Sequence, residues 1–205
     1  QLCGCGVVVV CAQCHSTTLR WASLWLLKLG LMEPMQLNGG RFYLRPLSAD
    51  DRINDVPALR LAADWADHSS DKSAQSSSSN SAIDESFIEL RRNQWLTGTA
   101  LSWAVCEQTQ VEMLAEAILF SDDGVIVNPA EDNEASSNDA QSDDAHSAPK
   151  ATHATLSIRP AGDPTRVVPN EPDVEKKTVG DAVEEAEGTI KRWAEGYLGL
   201  TVTLI

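Results

Sequence analysis

The chain lacks any apolar run long enough to cross a bilayer. Val7 to Ala12 and Trp21 to Leu27 are the apolar stretches of its first part, and Gln13, His15, Arg20 and Lys28 interrupt them. Neither approaches the roughly 18–20 residues that a span requires, so no membrane partner is expected. No positively charged segment precedes Val7 and no small-residue cleavage site follows Leu27, which argues against a signal peptide. A dense Lys/Arg run is also missing, and the formal net charge is −14. That balance repels a polyphosphate backbone and excludes a nucleic-acid-binding surface. Cysteine is scarce beyond the first fourteen residues, where only Cys106 remains of five. A secreted disulfide scaffold does not use cysteine in this way, and a reducing, cytoplasmic location is expected. Aromatic residues make up 5% of the chain and no internal repeat is visible.

What is present suits one domain. The chain has 205 residues, of which 42% are hydrophobic, enough for a core of ordinary size. The negative charge is unevenly placed: Asp122 to Asp144 carries eight acids and no Lys or Arg. Residues 121–150 are rich in Ser, Asn and Asp, and 69–83 are dominated by serine. Both read as flexible insertions, because such segments bury too little to offset the entropy of ordering. Lengthening a connection from about 4 to about 30 residues costs roughly 2 kcal/mol of closure entropy, which a domain can bear. Residues 1–32 read as a leader foreign to the domain that occupies 33–205. Its Cys11-Ala12-Gln13-Cys14-His15 spacing matches covalent haem attachment, and with Cys3 and Cys5 it could bind zinc or copper. No functional metal site is assigned to it.

Between the insertions the pattern alternates between strand and helix. Phe42 to Leu47 reads as a strand ended by Pro46. Asp50 and Asp51 offer N-caps for a short helix through Val56, Leu59, Ala62 and Trp65. Ile83 to Trp95 has helical spacing and Ala100 to Cys106 strand composition. Val111 to Phe120 fits strand or helix by composition, and its alternation favours a strand. Ala154 to Ile158 is a further strand. Pro160 to Lys176 is a looped segment, and Val183 to Tyr197 is a helix.

Ahead of that last helix stands Lys177-Thr178-Val179-Gly180-Asp181-Ala182. Small residues at a helix start permit a tight turn and need mean nothing more. The first amides of a helix also lack internal partners, point outward together and attract anions. A diphosphate is the guest that such a turn suits, although an acid at Asp181 would repel it if it faced the ligand.

In this context the segment resembles motif A of the GNAT acetyltransferase superfamily, in which Arg/Gln-x-x-Gly-x-Gly/Ala holds the pyrophosphate of acetyl-CoA. Lys177, Gly180 and Ala182 occupy its first, fourth and sixth positions. Tyr197-Leu198-Gly199-Leu200 resembles the turn into the family's fifth strand. Arg41 to Leu47, followed by Asp50-Asp51, is similar to the opening of the branch that contains ribosomal-protein N-terminal acetyltransferases. Phe87-Ile88-Glu89 with Trp95, and Leu101 to Val105, resemble its second helix and second strand.

The resemblance implies an α/β fold with a mixed β-sheet flanked by helices. It also implies a member truncated after Ile205, without the family's last strands. The implied activity is transfer of acetyl from acetyl-CoA to an amine, either a protein N-terminus or a small amine, by direct attack in a ternary complex. Leu156, Ser157 and Ile158 would meet the pantetheine arm, and Lys177, Thr178, Val179, Gly180, Asp181 and Ala182 the pyrophosphate. Glu116 and Ser157 are the candidate catalytic residues. The residues themselves also allow Glu116 to be a solvated position and Ser157 to be structural. His153 could take up a proton or be an ordinary surface histidine, and Tyr197 reads as packed. A non-catalytic or truncated acyl-CoA-binding protein is the alternative for the whole chain.

Overall fold

The computed structural model describes residues 33–69, 83–126 and 150–205. The leader with its cysteine cluster, and most of both expected insertions, lie outside the described residues. The elements run β1 (Leu37–Asn38), β2 (Phe42–Arg45), α1 (Val56–Ser69), α2 (Glu85–Thr97), β3 (Ala100–Glu107), β4 (Met113–Phe120), β5 (His153–Pro160), α3 (Val179–Trp193), a π-helical turn (Ala194–Leu198) and β6 (Thr201–Leu204). The six strands form one sheet in sequence order. Pairings from β1 to β5 are antiparallel, and β5 pairs with β6 in parallel. The expected α/β architecture, a mixed sheet with helices, is therefore what the chain adopts.

Period-two alternation divides the side chains between two layers. Leu101, Trp103 and Val105 of β3 pack with Ala182, Ala186 and Ile190 of α3. Ala104 and Cys106, on the opposite side, pack with Val56 and Leu59 of α1 and Ile88 of α2. Helices thus cover both faces, α3 on one and α1 with α2 on the other. All eight residues of β3 are buried, as are the first seven of β4. This two-sided burial explains why their sequences read as nearly continuous apolar runs.

Local chemistry sets the element ends. Asp84 caps α2 by accepting from the Ser86 N–H (2.9 Å). Gly98 closes the helix at φ 67°, a left-handed conformation that a Cβ would oppose. The expected caps Asp50 and Asp51 do not start α1. Asp50 instead accepts from Arg52 N and Ile53 N within a turn, and Asn54 accepts from Val56 N at the helix start. Asp55, just before α1, forms a buried two-point ion pair with Arg45 of β2, both contacts at 2.7 Å. It ties α1 to the sheet.

Candidate functional site

The expected diphosphate loop is the first turn of α3 rather than a loop ahead of it. Thr178 is the N-cap, and its hydroxyl accepts from Asp181 N (3.1 Å). The Asp181 carboxylate in turn accepts from the N–H (2.6 Å) and hydroxyl (2.9 Å) of Thr178, closing a capping box. These contacts hold the Asp181 carboxyl below its ordinary range, the backbone N–H of Thr178 contributing most and its hydroxyl next.

The two amides between are taken as well. Val179 N donates to Arg166 O (3.0 Å) and Gly180 N to Pro164 O (2.8 Å). A Cβ built on Gly180 would lie 3.2 Å from Pro164 O, so glycine here admits the preceding segment. That segment is itself ordered: Asp163 accepts from Thr165 N (2.8 Å), and Val168 N donates to Lys177 O (2.8 Å). The expectation of outward-facing, free amides at this turn is therefore corrected. Every amide from Thr178 to Ala182 has an acceptor within the chain, Ala182 N completing the set with Thr178 O. The surface beside it is lined by Asp181, Glu184 and Glu187 as well as Lys177 and Arg192. Lys177 pairs with Glu175 at 3.2 Å.

Of the strand residues assigned to the pantetheine arm, Leu156 is buried, and Ile158 packs against the core on the α3 side. Ser157 faces the other way. It lies in the ladder row Ser102–Ile118–Ser157, next to the row Ala104–Glu116–Arg159. The two candidate catalytic residues, from β4 and β5, are thus diagonal neighbours on the face that α1 and α2 cover.

Glu116 is not the solvated position that alternation allowed. It is 0% exposed. Arg159 Nη2 donates to its Oε2, and Arg91 Nη2 of α2 lies 3.3 Å from its Oε1. With both oxygens facing guanidinium groups, Glu116 is the hub of an ion-pair cluster and is not open to a substrate amine. Arg91 lies over the Phe87 ring (4.7 Å to its centroid) and donates to Gln94 Oε1 (3.1 Å). Burial, aided by the charge on Arg159, holds the Arg91 guanidinium below its usual value despite Glu116.

Ser157, Arg91 and Arg159 line one cavity of about 460 Å³, with Ile118 and Phe120 among its apolar walls. A second cavity of about 450 Å³ shares Arg91 and reaches Ser102 and Trp95. The Ser102 hydroxyl is buried without a hydrogen-bond partner. Sequence reasoning did not single out Arg91 or Arg159 as site residues. The signal was a polar stripe of period two, Thr155-Ser157-Arg159, against the apolar Ala154-Leu156-Ile158.

Two other expectations resolve simply. His153 is exposed. Tyr197 is 71% exposed and stacks on Trp193 at 6.0 Å instead of entering the core. Cys106 is buried, which pushes its thiol up to about 11 and removes it as a nucleophile near neutral pH. Among the described residues, no group of three or more His, Cys, Asp or Glu could hold a metal, and no helix is long and apolar enough to cross a membrane.

No protein-family model and no curated protein matches the chain. Among solved structures, a candidate ribosomal-protein-serine acetyltransferase from Vibrio cholerae is similar with a TM-score of 0.44 and 14% identity, over 84% of this chain and 75% of that one. A likeness this distant carries no argument about what the chain binds or does.

Proposed function

We propose that the chain is a GNAT-type N-acetyltransferase that moves an acetyl group from acetyl-CoA to an amine, resembling the ribosomal-protein N-terminal acetyltransferase branch. One observation carries the reading. A parallel pair, β5 and β6, ends an otherwise antiparallel sheet and is joined across one face by α3, while α1 and α2 cover the other. This is the element order that the resemblance implies, and a cytoplasmic location goes with it.

In this reading the donor's pantetheine arm follows Leu156, Ser157 and Ile158, with its diphosphate at Lys177 to Ala182. The acceptor, a protein N-terminus or a small amine, approaches from the α2 side. Attack on the thioester demands orientation of the amine and stabilisation of the developing oxyanion. The Ser157 hydroxyl is one group on that face able to donate, beside the Arg91 and Arg159 guanidiniums. Glu116 positions Arg91 and Arg159 rather than taking the proton. Donor binding at Gly180 requires Pro164 O and Arg166 O to release the helix start. At about 0.5–1.5 kcal/mol per hydrogen bond, two bonds amount to about 1–3 kcal/mol, or about 5- to 150-fold in affinity. The cost is tolerable.

The same occupied amides favour a second reading, in which the chain keeps the fold without catalysing transfer. Calorimetric titration with acetyl-CoA, followed by a turnover assay on peptide and small amines, separates the two. Saturable binding is expected, weakened on the order of tenfold by Lys177→Glu, a half-buried side chain whose reversal leaves the core untouched. No saturable binding, or a Lys177→Glu variant that binds as the wild type does, overturns the diphosphate assignment. Binding without turnover selects the second reading.

A further inference from the structure

The cluster beneath α2 is one negative charge short. Glu116, fully enclosed, is matched against two guanidiniums whose side chains are only 14% (Arg91) and 30% (Arg159) exposed. Partly buried cations without a counter-charge are costly, so the surplus belongs with an anion that the pair can receive. The Nε atoms of both Arg91 and Arg159 are buried and have no hydrogen-bond partner. Both side chains line the same cavity of about 460 Å³, where Ser157 and Thr99 add hydroxyls and Ile118 and Phe120 add apolar wall. The side chains lining it include no carboxylate.

We propose that this cavity binds the carboxylate of a small organic acid between Arg91 and Arg159, with its hydrocarbon tail on Ile118 and Phe120. Guanidinium forks match a planar carboxylate at two points, which a point charge cannot do. One surplus positive charge calls for a monoanion. A phosphate ester, with about −1.5 to −2 near neutral pH, would overshoot it. Glu116 acts here as a positioning residue: it fixes both guanidiniums from below, so neither has to be ordered when the acid arrives. The inference shares Ser157, Arg91 and Arg159 with the acyl-transfer reading, but it is argued from charge and cavity alone and needs no acyl donor.

The test uses the full chain without acetyl-CoA. Butyrate, butyramide and inorganic phosphate are titrated in turn by calorimetry and by the shift of the melting midpoint. Butyrate is expected to bind saturably, with butyramide at least about tenfold weaker, since the amide keeps the shape and loses the charge. Arg159→Gln should weaken butyrate by a similar factor. Ser157→Leu, which fills the cavity but keeps both guanidiniums, should abolish binding, and it decides the matter if Arg159→Gln fails to fold. Absence of saturable butyrate binding overturns the proposal. So does butyramide binding as well as butyrate, phosphate binding more tightly than butyrate, or wild-type affinity in Ser157→Leu. The butyrate titrations contain no acyl donor and the wild-type acetyl-CoA titration contains no free acid, so either proposal can fail alone.

Discussion

Glu116 meets its two guanidinium partners from different elements, Arg159 directly across the ladder on β5 and Arg91 from the helix above. Replacing it by glutamine would leave two partly buried cations facing each other without the charge between them. Glu116→Gln is therefore expected to lower stability by about 3 kcal/mol, because removing one member of a buried ion pair strands the others. Urea denaturation followed by circular dichroism measures it, and a loss under about 1 kcal/mol would mean that the cluster is solvated after all. The sequence made Glu116 conspicuous, as a carboxylate in an apolar strand. That Arg91 and Arg159 are its partners could not be read there, because each comes from a segment remote in the chain, and only pairing register and helix docking bring them together.

At the scale of elements, the start of α3 shows how one short segment can satisfy two descriptions. Thr178-Val179-Gly180-Asp181 fits an anion-binding turn by composition, and it equally fits a capping box with an acid three residues after the cap. The structure takes the second. Asp181→Ala is expected to cost about 1 kcal/mol by opening that box. The effect depends on pH with a definite sign. The Asp181 carboxyl titrates below its ordinary 3.8 in the folded chain, so its stabilisation is complete above that value and is lost as pH falls through the folded one. Melting midpoints of wild type and Asp181→Ala should thus differ near neutral pH and converge in acid. A constant difference would assign the effect to packing. The sequence located this helix but began it at Val183, four residues late. Its first turn is held by the carbonyls of Pro164 and Arg166, which no local pattern announces.

For the molecule as a whole, the longest connection, between β4 and β5, joins strands that lie side by side. Val125 and Lys150 form a bridge, and Ala151 N donates to Val125 O at 2.8 Å. The chain therefore leaves and re-enters the described structure at nearly one point. Replacing residues 127–149 by a linker of about eight residues should raise stability by about 1 kcal/mol through reduced closure entropy. A urea midpoint that instead falls sharply would show that the segment makes contacts of its own. A chain of edge-on indoles, Trp95–Trp103 at 5.0 Å and Trp103–Trp193 at 5.7 Å, links α2, β3 and α3. This uses the sparse aromatic content where three elements converge.

Hydrophobic period and turn chemistry are local properties, and they let the sequence alone determine the order of the elements from Phe42 to the last helix and the placing of Glu116 and Ser157 on strands. The class of fold and the last strand came with the family resemblance. Register, helix docking and the path of residues 161–178 depend on contacts between distant segments. Only the tertiary structure could decide that the amides beside Gly180 are spoken for, and that two arginines, not a lone carboxylate, define the chemistry beneath α2.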